Sequence, residues 1–280
     1  MKRARNAFTL IELLMAISII SLLMVLMLPV VSRAKKMARR AMWASAVSAL
    51  RKDTNLMAYY TFERASGDKT LKNVAPGDVM ETDATHKGSH LDGRIHGASW
   101  TDQGRFDNPA LRFDGGDYVR VPTRDGLGPP AEMTLLAWVN PSGSGQIVNK
   151  WDVDWNSEGT SRRGGREMAY LFEISNGRLS FRRNVFVDYW TSQPYTVTSG
   201  AKVPLGQWSL VAGTYDRQKL RVYINGEEVA GADGSTMDLQ KDFGYVLIGK
   251  GFHGLIDELA ILSRALSEAD LREMYTAGRP

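Results

Sequence analysis

Residues 203–229 read VPLGQWSLVAGTYDRQKLRVYINGEEV, and their pattern decides the fold. Gln207–Tyr215 and Lys219–Asn225 are apolar or alternating runs rich in Val, Tyr, Ile and Trp, residue types that suit a pleated sheet. Asn225-Gly226 then supplies two residues that tolerate positive φ, the requirement of a type I′ hairpin turn. The same grammar extends outward. Met57–Phe62, Leu111–Val121, Met133–Val139, Met168–Ser175 and Gly254–Leu262 read as strands, and Asn176-Gly177 and Asp114-Gly115 as two further hairpin signals. Only Ser267–Ala277 looks helical in this region, with Ser267 as its N-cap. Many short strands without alternating helices predict an antiparallel β-sandwich. Trp138, Trp208, Tyr223 and Phe113 are expected to fill the core between its sheets, with Gly115 and Gly226 as turn residues.

The chain has 280 residues, 43% hydrophobic and 24% charged, so wholesale disorder is excluded. It has no cysteine, which excludes disulfides, thiolate zinc sites and a cysteine nucleophile. Its four histidines, His86, His90, His96 and His253, argue against a histidine-rich metal centre. The net charge of +4 is unevenly placed. Residues 1–55 carry ten Lys/Arg against Glu12 and Asp53, leaving 25 basic and 29 acidic residues in the remainder. A mildly acidic globular part argues against nucleic acid as its partner.

The N-terminal fifth has a different composition. Lys2, Arg3 and Arg5 precede Phe8-Thr9-Leu10-Ile11-Glu12, and an apolar run of 19 residues follows from Leu13 to Val31, broken only by Ser18, Ser21 and Pro29. At about 1.5 Å per residue such a helix spans a hydrocarbon core of about 30 Å. The leading basic residues place the N-terminus in the cytoplasm and the rest of the chain beyond the membrane. An ordinary secretory signal would have a shorter apolar core and a small-residue cleavage site after it, whereas the small-residue junction here, Ala7, lies before the core. A simple anchor leaves Glu12 unexplained, because a carboxylate inside the membrane needs a partner. Arg33 to Leu56 continues as helix, with a basic block at Arg33, Lys35, Lys36, Arg39 and Arg40 that faces lipid head groups, anionic polymer or solvent. Asp53-Thr54-Asn55 reads as the helix stop.

AFTLIELLMAISIISLLMVLMLP (residues 7–29) resembles the N-termini of type IV prepilins and type II secretion pseudopilins. The resemblance implies cleavage between Ala7 and Phe8 by a prepilin peptidase and N-methylation of Phe8. It also implies assembly with other pilin or pseudopilin subunits, where Glu12 pairs with a neighbour's terminal amine. Two charges buried together are tolerable where either alone is not. Pro29 falls where many type IV pilins have a helix-breaking proline. Ala7 stands where the family usually has glycine. The family's usual small αβ head is also missing from this sequence.

A second resemblance covers residues 57–277. ALRFDGGDYVRVP, MTLLAWVNPSGSGQIVNKWD, the stretch quoted first and GLIDELAILSRALSEADLREMY resemble, in that order, the laminin-G-like, concanavalin A-like jelly roll. The expected organisation is therefore a leader over 1–7, a transmembrane and assembly helix over 8–56, and a mainly β jelly roll over 57–280. The resemblance implies a structural calcium near the chain ends, with Glu63, Asn73 and Asp257 at the corresponding positions. Calcium needs several oxygens at one spot. The alternative is that Asp257 bonds backbone amides or an arginine.

The residues themselves suggest a sugar site. Trp151, Trp155 and Trp190 lie in polar, loop-like sequence, where rings can stack on sugar faces while Asp152, Asp154, Asn156 and Arg183 bond hydroxyls. The alternatives are packing beneath a long loop and a protein contact. Glucanases of this fold use paired carboxylates on one strand. Asp152-Val-Asp154 with Glu158 only imitates that pattern, and no GxSxG, HExxH or Walker sequence occurs, so no enzyme activity is expected. The sequence thus predicts a protein of a bacterial inner membrane, pilus or pseudopilus whose jelly roll faces outward and binds polysaccharide or a surface protein. The alternative is a structural pseudopilin of a type II secretion-like system without a glycan ligand, and a glycoside hydrolase is the weaker third reading.

Overall fold

The computed structural model describes residues 10–63, 69–76, 91–122, 127–128, 130–150, 169–186, 192–235 and 245–280, with backbone alone at 185, 186 and 192. Helix α1 (Leu10–Leu50) leads into β1 (Leu56–Tyr60), β2 (Thr70–Leu71), β3 (Gly93–His96) and β4 (Ser99–Thr101). A 3-10 turn (Arg105–Asp107) precedes β5 (Ala110–Asp114) and β6 (Tyr118–Val121). The long middle strands are β7 (Met133–Pro141), β8 (Gly145–Lys150), β9 (Tyr170–Ser175), β10 (Arg178–Phe186) and β11 (Ser192–Lys202). Then come β12 (Ser209–Tyr215), β13 (Lys219–Ile224), β14 (Glu227–Asp233), β15 (Val246–Ile248), β16 (His253–Leu262) and α2 (Glu268–Gly278).

The strands form two antiparallel sheets. The first runs β14-β13-β12-β7-β16-β5-β4, with β1 beside the second half of β16. The second runs β11-β10-β9-β8-β15-β6-β3-β2. Between them lies the main core, from Phe113, Leu135 and Val211 on one side to Val119, Phe172 and Phe181 on the other. Gly213 permits this closeness, since a Cβ there would stand 2.9 Å from the Phe181 ring.

Asn176-Gly177 and Asn225-Gly226 make the expected hairpins, with φ of 51° and 75° in the first and 56° and 82° in the second. Asp114-Gly115 does not. Strand β5 pairs with β16 in the first sheet while β6 pairs with β3 and β15 in the second, so this turn carries the chain between sheets. Helix α2 starts as expected: Ser267 and Asp270 form a reciprocal capping box.

A second core lies on the outer face of the first sheet, where α1 and α2 cover Leu136, Trp138, Leu210 and Tyr223. Of the four aromatics expected between the sheets, only Phe113 is there; Trp138 and Tyr223 belong to this second core, and Trp208 packs against it half-buried. A sheet buried on both faces loses its alternation, which explains why MTLLAWV reads as one apolar run.

Helix α1 is about 60 Å long at the usual rise. Every residue from Leu10 to Lys35 is exposed, and the helix continues through Pro29. Its last turns behave differently: Trp43 and Leu50 are buried against the sandwich. Asp53 ends the segment, accepting the Asn55 amide at 2.9 Å and holding Arg264 at 2.6 Å. Burial alone would raise the Asp53 pKa, but these partners outweigh it and hold the carboxyl below its ordinary value. The expected boundary at 56/57 falls one residue inside β1, and packing crosses it.

Candidate functional site

Two places in the fold gather polar side chains: the junction of α1 with the first sheet, and the outer face of the second sheet.

At the junction, Gly104 and Asn108 close a tight turn with backbone hydrogen bonds of 2.9 Å (Gly104 to Asn108) and 3.0 Å (Asn108 to Arg105). That turn sends Arg105 inward, to 1% exposure. On β16 a bulge lies between Asp257 and Ala260, with Glu258 at φ 52°. The extra residue sends two consecutive carboxylates to the same face, where strict alternation would separate them. Arg105 Nε donates to Asp257 Oδ2 at 3.3 Å, its NH2 group stands 3.6 Å from Glu258 Oε1, and NH1 donates to the Gly278 carbonyl at 2.7 Å. Its guanidinium lies 4.3 Å from the ring centres of both Trp43 and Trp138. Trp43 Nε1 donates to Glu258 at 2.8 Å, and the Tyr59 hydroxyl donates to the other Glu258 oxygen. Arg40 of α1 donates to the Phe106 carbonyl and to Asn108 Oδ1, and Lys36 pairs with Asp107.

Burial pushes Asp257 up to about 8 against the opposing pull of Arg105, and the neighbouring Glu258 adds to the rise. Burial raises Glu258 too, opposed by Arg105 and by the Tyr59 and Trp43 donors. One guanidinium thus faces two carboxyls, and Asp257 retains a proton through neutral pH. Beside this Arg105 cluster, the latch that holds α1 on the sandwich, a cleft of about 680 Å³ is lined by Val47, Arg51, Lys52, Glu63 and Glu258.

Two of the expected calcium donors are engaged by protein groups. Asp257 faces Arg105, which supplies the positive charge. Asn73 Oδ1 accepts the Tyr59 amide at 2.8 Å, and Glu63 is exposed at the cleft edge. Among the described residues no three His, Asp or Glu side chains group to hold a metal ion. Ala7, Phe8, Trp151, Asp152, Asp154, Trp155 and Trp190 lie outside the described residues. Glu12 sits in the first turn of α1 among exposed apolar residues.

The second sheet's outer face was not legible as a site. Its strands alternate, and the outward residues form cross-strand rows. One row runs Thr70–Arg94–Arg120–Leu247 across β2, β3, β6 and β15. A neighbouring row pairs His96 with Tyr118, whose rings stack at 4.7 Å, and farther along pairs Gln146 with Glu173 and Glu173 with Ser180. The Arg120 guanidinium lies 3.4 Å from the ring centre of Tyr245, which is exposed. At the rim, Gln146, Glu173, Asn176, Lys250 and His253 line a pocket of about 410 Å³. Rings presented flat beside charged and amide groups suit recognition of a polyhydroxylated ligand.

Residues 113–272 match the model of the concanavalin A-like lectin/glucanases superfamily. The chain belongs to that superfamily. Residues 2–28 match the prokaryotic N-terminal methylation motif, so the lectin-like sandwich follows a type IV pilin-like N-terminus. Among solved structures, the binding domain of Paraclostridial Mosquitocidal Protein 1 is similar at a TM-score of 0.57 and 14% identity, over 79% of this chain and 52% of that one. Domain 4 of AbnA, an extracellular arabinanase of Geobacillus stearothermophilus in complex with arabinotriose, is similar at 0.55 and 19%, over 79% of this chain and 98% of that one. The ligand-binding domain of botulinum neurotoxin serotype D, in complex with N-acetylneuraminic acid, is similar at 0.53 and 13%, over 79% and 50%. These likenesses concern the fold. A curated relative, the L-arabinose isomerase of Actinobacillus succinogenes, is 29% identical over 127 residues, 44% of this chain. The chain spans 23% of that isomerase's length.

Proposed function

We propose that this is a pilin-like surface protein that displays a lectin-like sandwich for carbohydrate binding. A prepilin peptidase cuts it between Ala7 and Phe8, α1 anchors it in the bacterial inner membrane or a pilus-type filament, and the sandwich stands outside the cytoplasm. The observation that carries this reading is the division of labour between the sheets: α1 and α2 occupy the outer face of the first, and the outer face of the second presents stacked rings and polar side chains. No hydrolytic role is proposed.

The full-length chain in detergent is expected to bind at least one polymer of a polysaccharide panel saturably. With Arg105 seated at Asp257, binding should survive a calcium chelator. A panel without saturable binding sinks the lectin reading. It leaves the structural pseudopilin, which the tight docking of Trp43 and Arg40 on the sandwich favours. The N-terminal reading has its own test. Glu12→Ala is expected to leave membrane insertion intact and to abolish co-purification with pilin or pseudopilin subunits, because the carboxylate is the proposed partner of a neighbour's amine. Undiminished co-purification counts against assembly through Glu12.

A further inference from the structure

Arg94 and Arg120 stand directly opposite each other on β3 and β6. Like charges in register across an antiparallel pair destabilise it. Among the described residues no carboxylate forms an ion pair with either of them. Nearby acids are engaged elsewhere: Asp92 holds Lys72 at 2.6 Å and accepts the Asn73 amide at 2.9 Å, and Asp117 accepts the Asp114 amide at 3.0 Å. Arg94 is exposed, and Arg120 is half-buried with its guanidinium over the Tyr245 ring. His96, next on β3, reports the same field. Its pKa is lowered, first by burial and then by Arg94 and Arg120. Among the described residues its buried Nε2 has no hydrogen-bond partner. This positive patch sits on a region, residues 56–280, in which acidic residues outnumber basic ones.

Resting on the carbohydrate-binding reading, we propose that this face selects anionic polysaccharides. Carboxylate or sulfate groups of the polymer pair with Arg94 and Arg120, while sugar faces stack on Tyr245 and on the Tyr118–His96 pair. An anion between the two arginines removes their repulsion, and guanidinium forks match carboxylates and sulfates well. The flat rings favour a glycan over a bare phosphate chain, because a sugar ring offers an apolar face to stack.

The test compares polygalacturonate with its methyl ester, which keeps the backbone and removes the charge. Alginate and chondroitin sulfate extend the acidic set, and arabinan and galactan the neutral set. With the full chain in detergent, at least one acidic polymer should bind about tenfold more tightly than the neutral ones, with affinity falling as salt rises. Arg94→Gln with Arg120→Gln should erase that preference, and Arg94→Lys with Arg120→Lys should restore part of it at an unchanged unfolding midpoint. The basic block on α1 also attracts polyanions, so Arg33→Gln, Lys35→Gln and Arg39→Gln together must leave the preference intact. Equal binding of acidic and neutral polymers overturns the anionic selection and leaves the lectin reading standing. No binding of any polymer overturns both. A preference carried by α1, or duplex DNA or phosphatidylserine vesicles bound through Arg94 and Arg120 as tightly as the polymers, also overturns it.

Discussion

Replacing Arg105 by methionine is expected to lower the thermal midpoint of the full-length chain by roughly 10 °C at pH 8 and by much less at pH 5. Methionine keeps most of the volume between Trp43 and Trp138 but removes the cation that, among the described residues, pairs with Asp257 and Glu258. Breaking a buried pair from one side costs about 3–5 kcal/mol, because the abandoned charge stays buried. Each kcal/mol moves the midpoint by roughly 2–4 °C in a chain of this size. The pH dependence follows from protons. In the wild type Asp257 holds one at pH 5 and about half of one at pH 8, and in the variant both Asp257 and Glu258 must be protonated. Taking the further proton, on Glu258, costs about 1.4 kcal/mol for each pH unit above the ordinary glutamate pKa. That cost is large at pH 8 and small at pH 5. A midpoint shift equal at both pH values would refute the account of Arg105 as the counter-charge.

The wild type carries a smaller version of the same effect. Asp257 titrates at about 8 in the folded chain against an ordinary value of 3.8. Between those values the folded state binds a proton that the unfolded state has released, so stability falls as pH rises. The slope approaches about 1.4 kcal/mol per pH unit at most. Asp53 and Asp216, whose pKa values are lowered, act in the opposite sense but only below the ordinary carboxylate range. His96, also lowered, opposes the slope near its ordinary 6.5. Glu258 and Asp117, both raised, add to the decline. Asp257→Asn leaves all five of these groups in place and should make the decline between pH 5 and 8 shallower, as chemical denaturation at each pH would measure. An unchanged slope would assign the decline to other groups.

The latch also explains what the sequence could and could not disclose. Strands and hairpins were legible because their signals are local: two-residue alternation, and Asn-Gly pairs with positive φ. Ser267 was legible as a cap for the same reason. The turn at Asp114-Gly115 has hairpin chemistry, and only the pairing of β5 with β16 reveals that it joins two sheets. Asp257 invited a metal because a carboxylate in an apolar strand needs a partner, and Arg105, that partner, lies 152 positions away. Nothing in Gly-Leu-Ile-Asp-Glu announces the bulge that sends Glu258 to the helix side. The cross-strand Arg94–Arg120 pair was hidden similarly, since register is a property of the assembled sheet.

Trp43→Ala is expected to free the last turns of α1 while the sandwich stays folded. The indole is 6% exposed, packs edge-on against Trp138 at 6.1 Å and donates to Glu258 at 2.8 Å. Truncating a buried tryptophan costs about 3–5 kcal/mol. Among the described residues the remaining ties of this segment include Lys36 to Asp107, Arg40 to Phe106 and Asn108, the packing of Ala46, Val47 and Leu50, and the Asp53–Arg264 pair after the helix. The first is exposed on the Asp107 side, and exposed ion pairs contribute only about 0–1 kcal/mol. Trp43 is the largest buried side chain of this segment, so losing it should weaken the docking markedly. The main core between the sheets contains no residue of α1, so its cooperative unfolding should persist. Trypsin cleavage after Arg39 and Arg40 should quicken by about two orders of magnitude, because it follows the population of the detached state. Trp43→Phe, which retains a ring without the N–H, should fall between the two. Unchanged cleavage would mean that the helix is held elsewhere, and collapse of the whole sandwich would mean that the second core is part of its folding unit. Detachment alone has a consequence for display. On the proposed reading, a docked α1 fixes the direction in which the second sheet's outer face points relative to the apolar part of α1, and Trp43→Ala is expected to leave polysaccharide affinity intact while releasing that orientation.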